Sequence, residues 1–303
     1  MRQDWYDKKE MLRRQRTILN LLSSAGRPVN ATQLQKYLFL LKKETYLDGD
    51  SAFYEFLPYK YGPYSFSAHR EIEGLVSNGY IESCASASAV SLTVTPIGAE
   101  EAKQADSDTF RVVRFILSRY GSTSAHSLMK DVYARYSWFA INSELTDLIP
   151  DDAPRAERAP VAIYTMGYEE RSVEGFFNNL LKAGVQSIID TRANPVSRKY
   201  GFARSSLSNI ANKLGLAYSH FPGLGIPSGK RKNVESVADF RKLFKYYESE
   251  ILPAHRNEIE SVATQMRSTP SVLVCMEKEA VDCHRSRLAG RIAEITGMQV
   301  VHL

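Results

Sequence analysis

With 303 residues, the chain is long enough for two domains, each with its own core. A composition of 44% hydrophobic and 24% charged residues is that of an ordinary globular protein, and no apolar run approaches the ~20 residues of a membrane span. A net charge of +5 is too mild to establish a polyanion partner, and three cysteines make no disulfide framework in a chain this large. The N-terminus, MRQDWYDKKEMLRRQR, lacks the apolar core of a signal peptide, so a cytoplasmic protein without a membrane role is expected.

In KKEMLRRQRTILNLLSSAG, Leu12, Ile18, Leu21 and Leu22 fall on one helix face, and Gly26 ends the helix. Asn30 is placed to cap ATQLQKYLFLLKKET, with Leu34, Leu38 and Leu41 on one stripe. A third helix is expected in SFSAHREIEGLVSNGY, with Ile72 and Leu75 inward and Asn78-Gly79 closing it. IESCASASAVSLTVTP reads as two short strands around a small-residue turn, and TPIGAEEAKQ as a helix start. Helix, helix, helix, hairpin is the order of a winged helix, and LTVTPIGAEEA resembles the wing strand and following helix of winged-helix regulators.

The stretch FYEFLPYKYGPYSF (53–66) resembles a segment of small prokaryotic helical domains related to the Panacea antitoxin group. In a winged helix the third helix would enter the major groove. Here it offers His69, Arg70, Glu71, Glu73, Ser77 and Asn78, a weakly cationic reading surface that leaves nucleic acid and a protein partner both open. Two more helices are expected over 108–147, where the stripe Met129, Val132, Tyr133 and Tyr136 reads as core before it reads as a partner groove.

LIPDDAPRAERAP (148–160) carries three prolines and no periodicity, and separates a helical module (1–147) from a second module (161–303). In the second module, strand-like VAIYTMGY, VQSIIDTR, LAYSHFP, SVLVCM and MQVVHL alternate with amphipathic segments. That alternation predicts an α/β domain, a mostly parallel sheet with helices on both faces, behind the mainly helical first half. Ligands of such sheets sit beyond the carboxyl ends of the strands. There the sequence places Thr165 and Gly167, Asp190 and Arg192, His220, then Cys275 and Glu277. The segment 192–245 adds eleven basic residues against two acidic ones, a charge bias suited to polyanions or to plain solvation.

The pieces T-M-G-Y, D-T-R-A-N-P-x-S-R, Y-x-H-F-P-G-L-G, C-M-E, D-C-H-R and V-x-H-L occur in the order of the DUF488 family, which 161–303 therefore resembles. Met166 and Thr191 depart from the commoner isoleucine and valine. The resemblance implies a fold and a site and leaves the chemistry open.

Cys283 precedes a predicted helix, whose N-terminus favours a thiolate, with His284 or Arg285 in support; a buried structural cysteine is the competing reading. A Cys-x5-Arg phosphate cradle starting at Cys275 is disfavoured, because position 281 is Val and Arg285 is ten positions on. No metal or cofactor is expected, since adjacent Cys283 and His284 do not readily share one ion and there is no CxxC. Asp190 or Glu277 can serve as acid/base, with Arg192, Arg198 and Arg285 on phosphate, although Asp190 with Arg192 equally suits a buried structural pair. His220 suits an acid/base or a loop cap, and PGLGIPSGKRK (222–232) a mobile basic loop.

The combined expectation is a hydrolase of glycosidic or phosphate ester bonds in nucleic acid or a nucleotide-derived group, its N-terminal module selecting the target. A ligand-sensing DNA-binding regulator and a non-catalytic, antitoxin-like subunit are the alternatives.

Overall fold

A computed structural model describes residues 10–86, 89–155, 157–231 and 236–303. The chain divides into two compact units after Pro154.

The N-terminal unit is mostly helical. Helix α1 (Arg13–Ala25) buries Ile18, Leu19, Leu21 and Leu22 and stops at Gly26, whose φ of 62° suits a residue without Cβ. After β1 (Val29–Asn30), the Asn30 side chain accepts from the Thr32 amide and starts α2 (Ala31–Glu44). A hairpin of β2 (Leu57–Tyr59) and β3 (Gly62–Tyr64) leads into α3 (Phe66–Ser77), capped by Ser65. Strands β4 (Ile81–Ala85) and β5 (Val90–Val94) form a second hairpin, and β1 joins it in the order β1-β5-β4. Helices α4 (Pro96–Ala102), α5 (Ser107–Tyr120) and α6 (Ala125–Arg135) are each capped by a short polar side chain, Thr95, Asp106 and Ser124. One apolar core unites these helices. It takes in Val132 and Tyr133, with Met129 and Tyr136 packed against it, so that stripe is core.

In the C-terminal unit the chain runs β6 (Ile163–Gly167), α7 (Val173–Lys182), β7 (Ser187–Asp190), α8 (Arg204–Lys213), β8 (Ala217–His220), α9 (Val237–Tyr246), α10 (Leu252–Ala254), α11 (Arg256–Ser268), β9 (Ser271–Cys275), α12 (His284–Thr296) and β10 (Val300–His302). A widened turn, Tyr247–Ile251, joins α9 to α10. It falls just before Pro253, which has no N–H to continue the ladder.

The five strands form one parallel sheet in the order β10-β6-β9-β7-β8. Ile163, Ile189 and Leu273 pack against the core residues of α9, α11 and α12, while Tyr164, Met166, Ile188, Val272 and Val274 are buried as well. Near-continuous apolar strands follow from burial on both faces. Register then aligns the strand ends: Gly167 pairs with Cys275, and Asp190 with both Val274 and His220. No helix among the described residues is long and apolar enough to cross a membrane.

Candidate functional site

Two polar clusters lie at the carboxyl edge of the sheet. In the first, Asp190 is fully buried and Arg192 nearly so. Arg192 donates from Nε to Oδ1 of Asp190 at 2.8 Å and from Nη2 to Oδ2 at 2.5 Å. Tyr218 donates to the same Oδ2 at 2.7 Å, and the Arg192 amide to Oδ1 at 3.1 Å. Arg192 also donates to the Phe202 carbonyl at 2.7 Å, with its guanidinium over the Tyr168 ring. Burial alone would lower the Arg192 pKa; the bond to Asp190 and its charge outweigh that and raise it. Burial and the Asp190 charge together push the Tyr218 phenol up. His220 places Nε2 2.8 Å from the Arg192 carbonyl. Each member is engaged by another, which is the geometry of a structural pair.

The second cluster centres on Cys275, at the end of β9. Its Sγ is 3.2 Å from Oε2 of Glu277 and 3.6 Å from Nδ1 of His284; Sγ of Cys283 is 3.8 Å from the same nitrogen. Arg231 reaches in with Nη1 3.0 Å from Oε1 of Glu277 and Nη2 3.2 Å from His284 Nδ1. The other imidazole nitrogen is 3.2 Å from the Thr191 carbonyl, and the ring meets Tyr247 edge to face. Thr191 thus joins the two clusters through the backbone.

Burial by itself would raise the Cys275 thiol. The bond from Cys283 and the charges of His284 and Arg231 win, and hold Cys275 well below the ordinary thiol range. For Cys283 burial and the neighbouring Cys275 charge act in the same direction, and its thiol is pushed well up. Burial would lower His284, but the Cys275 thiolate raises it. Both shifts run toward a thiolate at Cys275 beside a protonated His284, whose Nδ1 faces Cys275 and whose Nε2 faces the Thr191 carbonyl. Arg231 then stands beside His284 as a second cation rather than as a donor to it.

The strand-to-helix loop is shaped by a close approach. A Cβ on Gly167 would lie 1.8 Å from the Glu277 carbonyl, so only glycine lets the loop fold over β6. Arg285, 2% exposed, donates to the carbonyls of Glu277 and Lys278 and leaves Nε without a partner. It fastens this loop where the sequence suggested a phosphate clamp. The 222–231 segment carries anchoring contacts: Leu224 and Ile226 are buried and Arg231 is paired with Glu277. Lys232 lies outside the described residues.

Of the residues singled out in the sequence, Glu277, Cys283, His284 and Arg285 come together here. Asp190, Arg192 and His220 form the neighbouring cluster, so Asp190 and Glu277 have different partners although β7 and β9 are adjacent. Thr165 is fully buried and bonded to Nδ1 of His302, Gly167 acts through its missing side chain, and Arg198 is exposed. Sequence reasoning left out Cys275 as the centre, and with it Arg231 and Tyr247. Its position at a strand end, two residues before Glu277, was the available signal for Cys275.

The donor atoms of Cys275, Glu277, Cys283 and His284 all lie within 4.8 Å of one another, so adjacency does not keep Cys283 and His284 apart. The first turn of α12 turns both inward. By spacing this set can hold a divalent metal. The space is already taken up, because the Arg231 guanidinium pairs with Glu277 and stands 3.2 Å from His284 Nδ1, where an ion would have to sit. The arrangement therefore favours thiolate chemistry.

Residues 172–292 match the model of the family described as "Domain of unknown function DUF488". The match runs from the start of α7 into α12 and leaves β6 and β10 outside its span. No curated protein matches the chain.

Proposed function

We propose that the C-terminal unit is a hydrolase acting on nucleic acid or a nucleotide-derived group, with Cys275 as its nucleophile in place of Cys283 and His284 as acid/base in place of Asp190. The observation that carries this reading is the buried Cys275 thiol held against His284, Glu277 and Arg231. The thiolate attacks phosphorus, expelling an ester oxygen, or the anomeric carbon, expelling the base nitrogen, and the leaving atom takes the proton from His284 Nδ1. Water, deprotonated by His284, then cleaves the covalent intermediate and restores the thiolate. Arg231 and Glu277 are the partly exposed members of the cluster, so substrate enters by displacing their pair. A phosphate then replaces the carboxylate on Arg231, with Lys230 next to it in the chain as a further cation.

In this reading the N-terminal unit selects the target. The order α1-β1-α2-β2-β3-α3-β4-β5, with β1 paired to β5, motivates a winged-helix comparison in which the β2–β3 hairpin is an addition between the second and third helices. Its third helix is a poor reader of phosphate, since Glu71 is engaged by Arg14 and Tyr54 and His69 pairs with Glu73.

The test is incubation of the full chain with labelled single- and double-stranded DNA and RNA, and with mononucleotides, products being read by mass. A product formed by wild type and lost at least ~100-fold in Cys275→Ser supports the reading. An acid-stable adduct on the Cys275 peptide in His284→Gln would place the covalent step. Undiminished turnover in Cys275→Ser sinks the nucleophile, and salt-sensitive binding without product moves the function to a regulator.

A further inference from the structure

The N-terminal unit contains a cavity of about 770 Å³, walled by α2, the β2–β3 hairpin, α3 and the β4–β5 hairpin. That volume lies within the range of pockets for drug-sized ligands, roughly 300–1,000 Å³. Ile72, Val76 and Leu92 supply apolar wall, and Tyr59, Tyr61 and Tyr64 supply rings. Tyr59 and Tyr64 are in contact with centroids 5.1 Å apart and rings tilted by 46°, and Tyr61 is 44% exposed.

Lys36 of α2 also lines this cavity, and it breaks the rule that a buried charge is paired. It is 2% exposed, and its one hydrogen bond among the described residues goes to the Pro63 carbonyl at 3.0 Å. No carboxylate among the described residues forms an ion pair with it. Burial accordingly lowers its pKa to about 7. An ammonium has three donors, so a single carbonyl leaves two unanswered. A lysine kept in such a place, on the wall of a ring-lined cavity, calls for an anion that the chain does not provide.

We propose that this cavity binds a mononucleotide, its phosphate pairing with Lys36 and its base stacking among Tyr59, Tyr61 and Tyr64. The rings give a face to any base, and lysine serves phosphate as a point charge. This site is separate from Cys275, and the inference does not depend on the reading given to that cysteine. It gives the N-terminal unit a way to sense or select nucleotides without a cationic reading helix.

Binding has a signature that belongs to Lys36. A phosphate beside it favours the ammonium, so above pH ~7 the complex takes up a proton that the free protein lacks. The other ionisable groups around the cavity are Tyr59, Lys60, Tyr61, Tyr64, His69 and Glu73, and comparison with Lys36→Met isolates Lys36 from them.

The experiment is calorimetric titration of the full chain with AMP at pH about 8, in two buffers of different ionisation enthalpy, with adenosine as the uncharged control. Wild type is expected to bind AMP with uptake of close to one proton, and adenosine about tenfold or more weakly. Lys36→Met, checked by melting to be folded, should lose about tenfold or more in AMP affinity together with the proton uptake. Cys275→Ser should retain both. Failure of AMP to bind, equal affinity in Lys36→Met, or binding lost in Cys275→Ser instead overturns the proposal, and the last outcome would assign the nucleotide to the C-terminal site.

Discussion

Asp190 with Arg192 in one unit and Lys36 in the other are both buried charges, and their surroundings treat them in opposite ways. Asp190 accepts from Nε, Nη2 and the amide of Arg192 and from the Tyr218 hydroxyl. Lys36 has one carbonyl. Desolvation opposes ionisation in both places, but only at Asp190 do bonds compensate for it. The first site can be explained by the chain alone. The second cannot, and that difference separates a structural charge from one awaiting a ligand.

Breaking the saturated pair should have the largest effect. Asp190→Ala leaves Arg192 buried without its counter-ion, and the expected loss is about 3–5 kcal/mol of unfolding free energy in urea titration. A loss below ~1 kcal/mol would mean that solvent reaches Arg192, and the pair would no longer contrast with Lys36.

The same substitution logic at Lys36 predicts the opposite sign. Lys36→Met removes an uncompensated charge and keeps the aliphatic stem, so it should stabilise by about 1–4 kcal/mol at neutral pH. The folded pKa of about 7 lies below the unfolded value of 10.5. Between them the unfolded chain binds a proton that the folded chain does not, so wild-type stability rises with pH across that window. The advantage of Lys36→Met is therefore largest below pH ~7 and fades toward pH ~10.5. A pH-independent difference would show that Lys36 is ordinarily solvated.

The sequence made the frame legible for local reasons. Asn30 is a residue type that favours helix N-caps and does cap α2, and strands buried on both faces must be apolar throughout. The ends of β6, β7, β8 and β9 could be placed together for the same reason. The sequence could not say how the residues gathered there would divide. Asp190 and Glu277 looked equivalent, yet Tyr218 and Arg192 take up one, while Arg231, forty-six positions away, meets the other. Arg285 looked like an anion clamp because its carbonyl partners, Glu277 and Lys278, are presented only once Gly167 lets the loop fold over. Lys36 drew no notice, since a lysine on an amphipathic helix is normally solvated and its burial depends on the hairpin at Pro63.

Between the two extremes stands the Cys275 cluster, where the compensating charge is itself titratable. His284→Gln removes one of the cations that hold the Cys275 thiol down, and the pH at which the thiolate forms should rise. Ultraviolet absorbance of the thiolate in a Cys84→Ser background reads this directly. Folded Cys275 titrates below its unfolded range, so the stability it contributes is present above that range and is lost as pH falls through the folded value. His284 has the reverse sign: its contribution is complete below its unfolded pKa, 6.5, and is lost as pH rises through the raised folded value. Turnover by the proposed mechanism should accordingly be bell-shaped, bounded by the thiolate on the acid side and the imidazolium on the alkaline side. An unmoved thiolate in His284→Gln would transfer the role to Arg231.

The smallest expected effect is the sharpest check on saturation. Tyr218→Phe deletes a hydroxyl that donates to Asp190 Oδ2 at 2.7 Å, but Nη2 of Arg192 donates to the same oxygen. A carboxylate oxygen that keeps a charged donor loses little when a neutral one goes, so the expected cost is about 1 kcal/mol in chemical denaturation. Because the Asp190 charge also holds the Tyr218 phenol up, the phenol should titrate earlier in Asp190→Asn, visible as tyrosinate absorbance at lower pH than in wild type. If Tyr218→Phe instead approached the loss of Asp190→Ala, the hydroxyl and not the guanidinium would be the main partner of the carboxylate. Asp190 would then be held by a group that can exchange its proton, and the contrast with the reactive cluster beside it would narrow to a difference of degree.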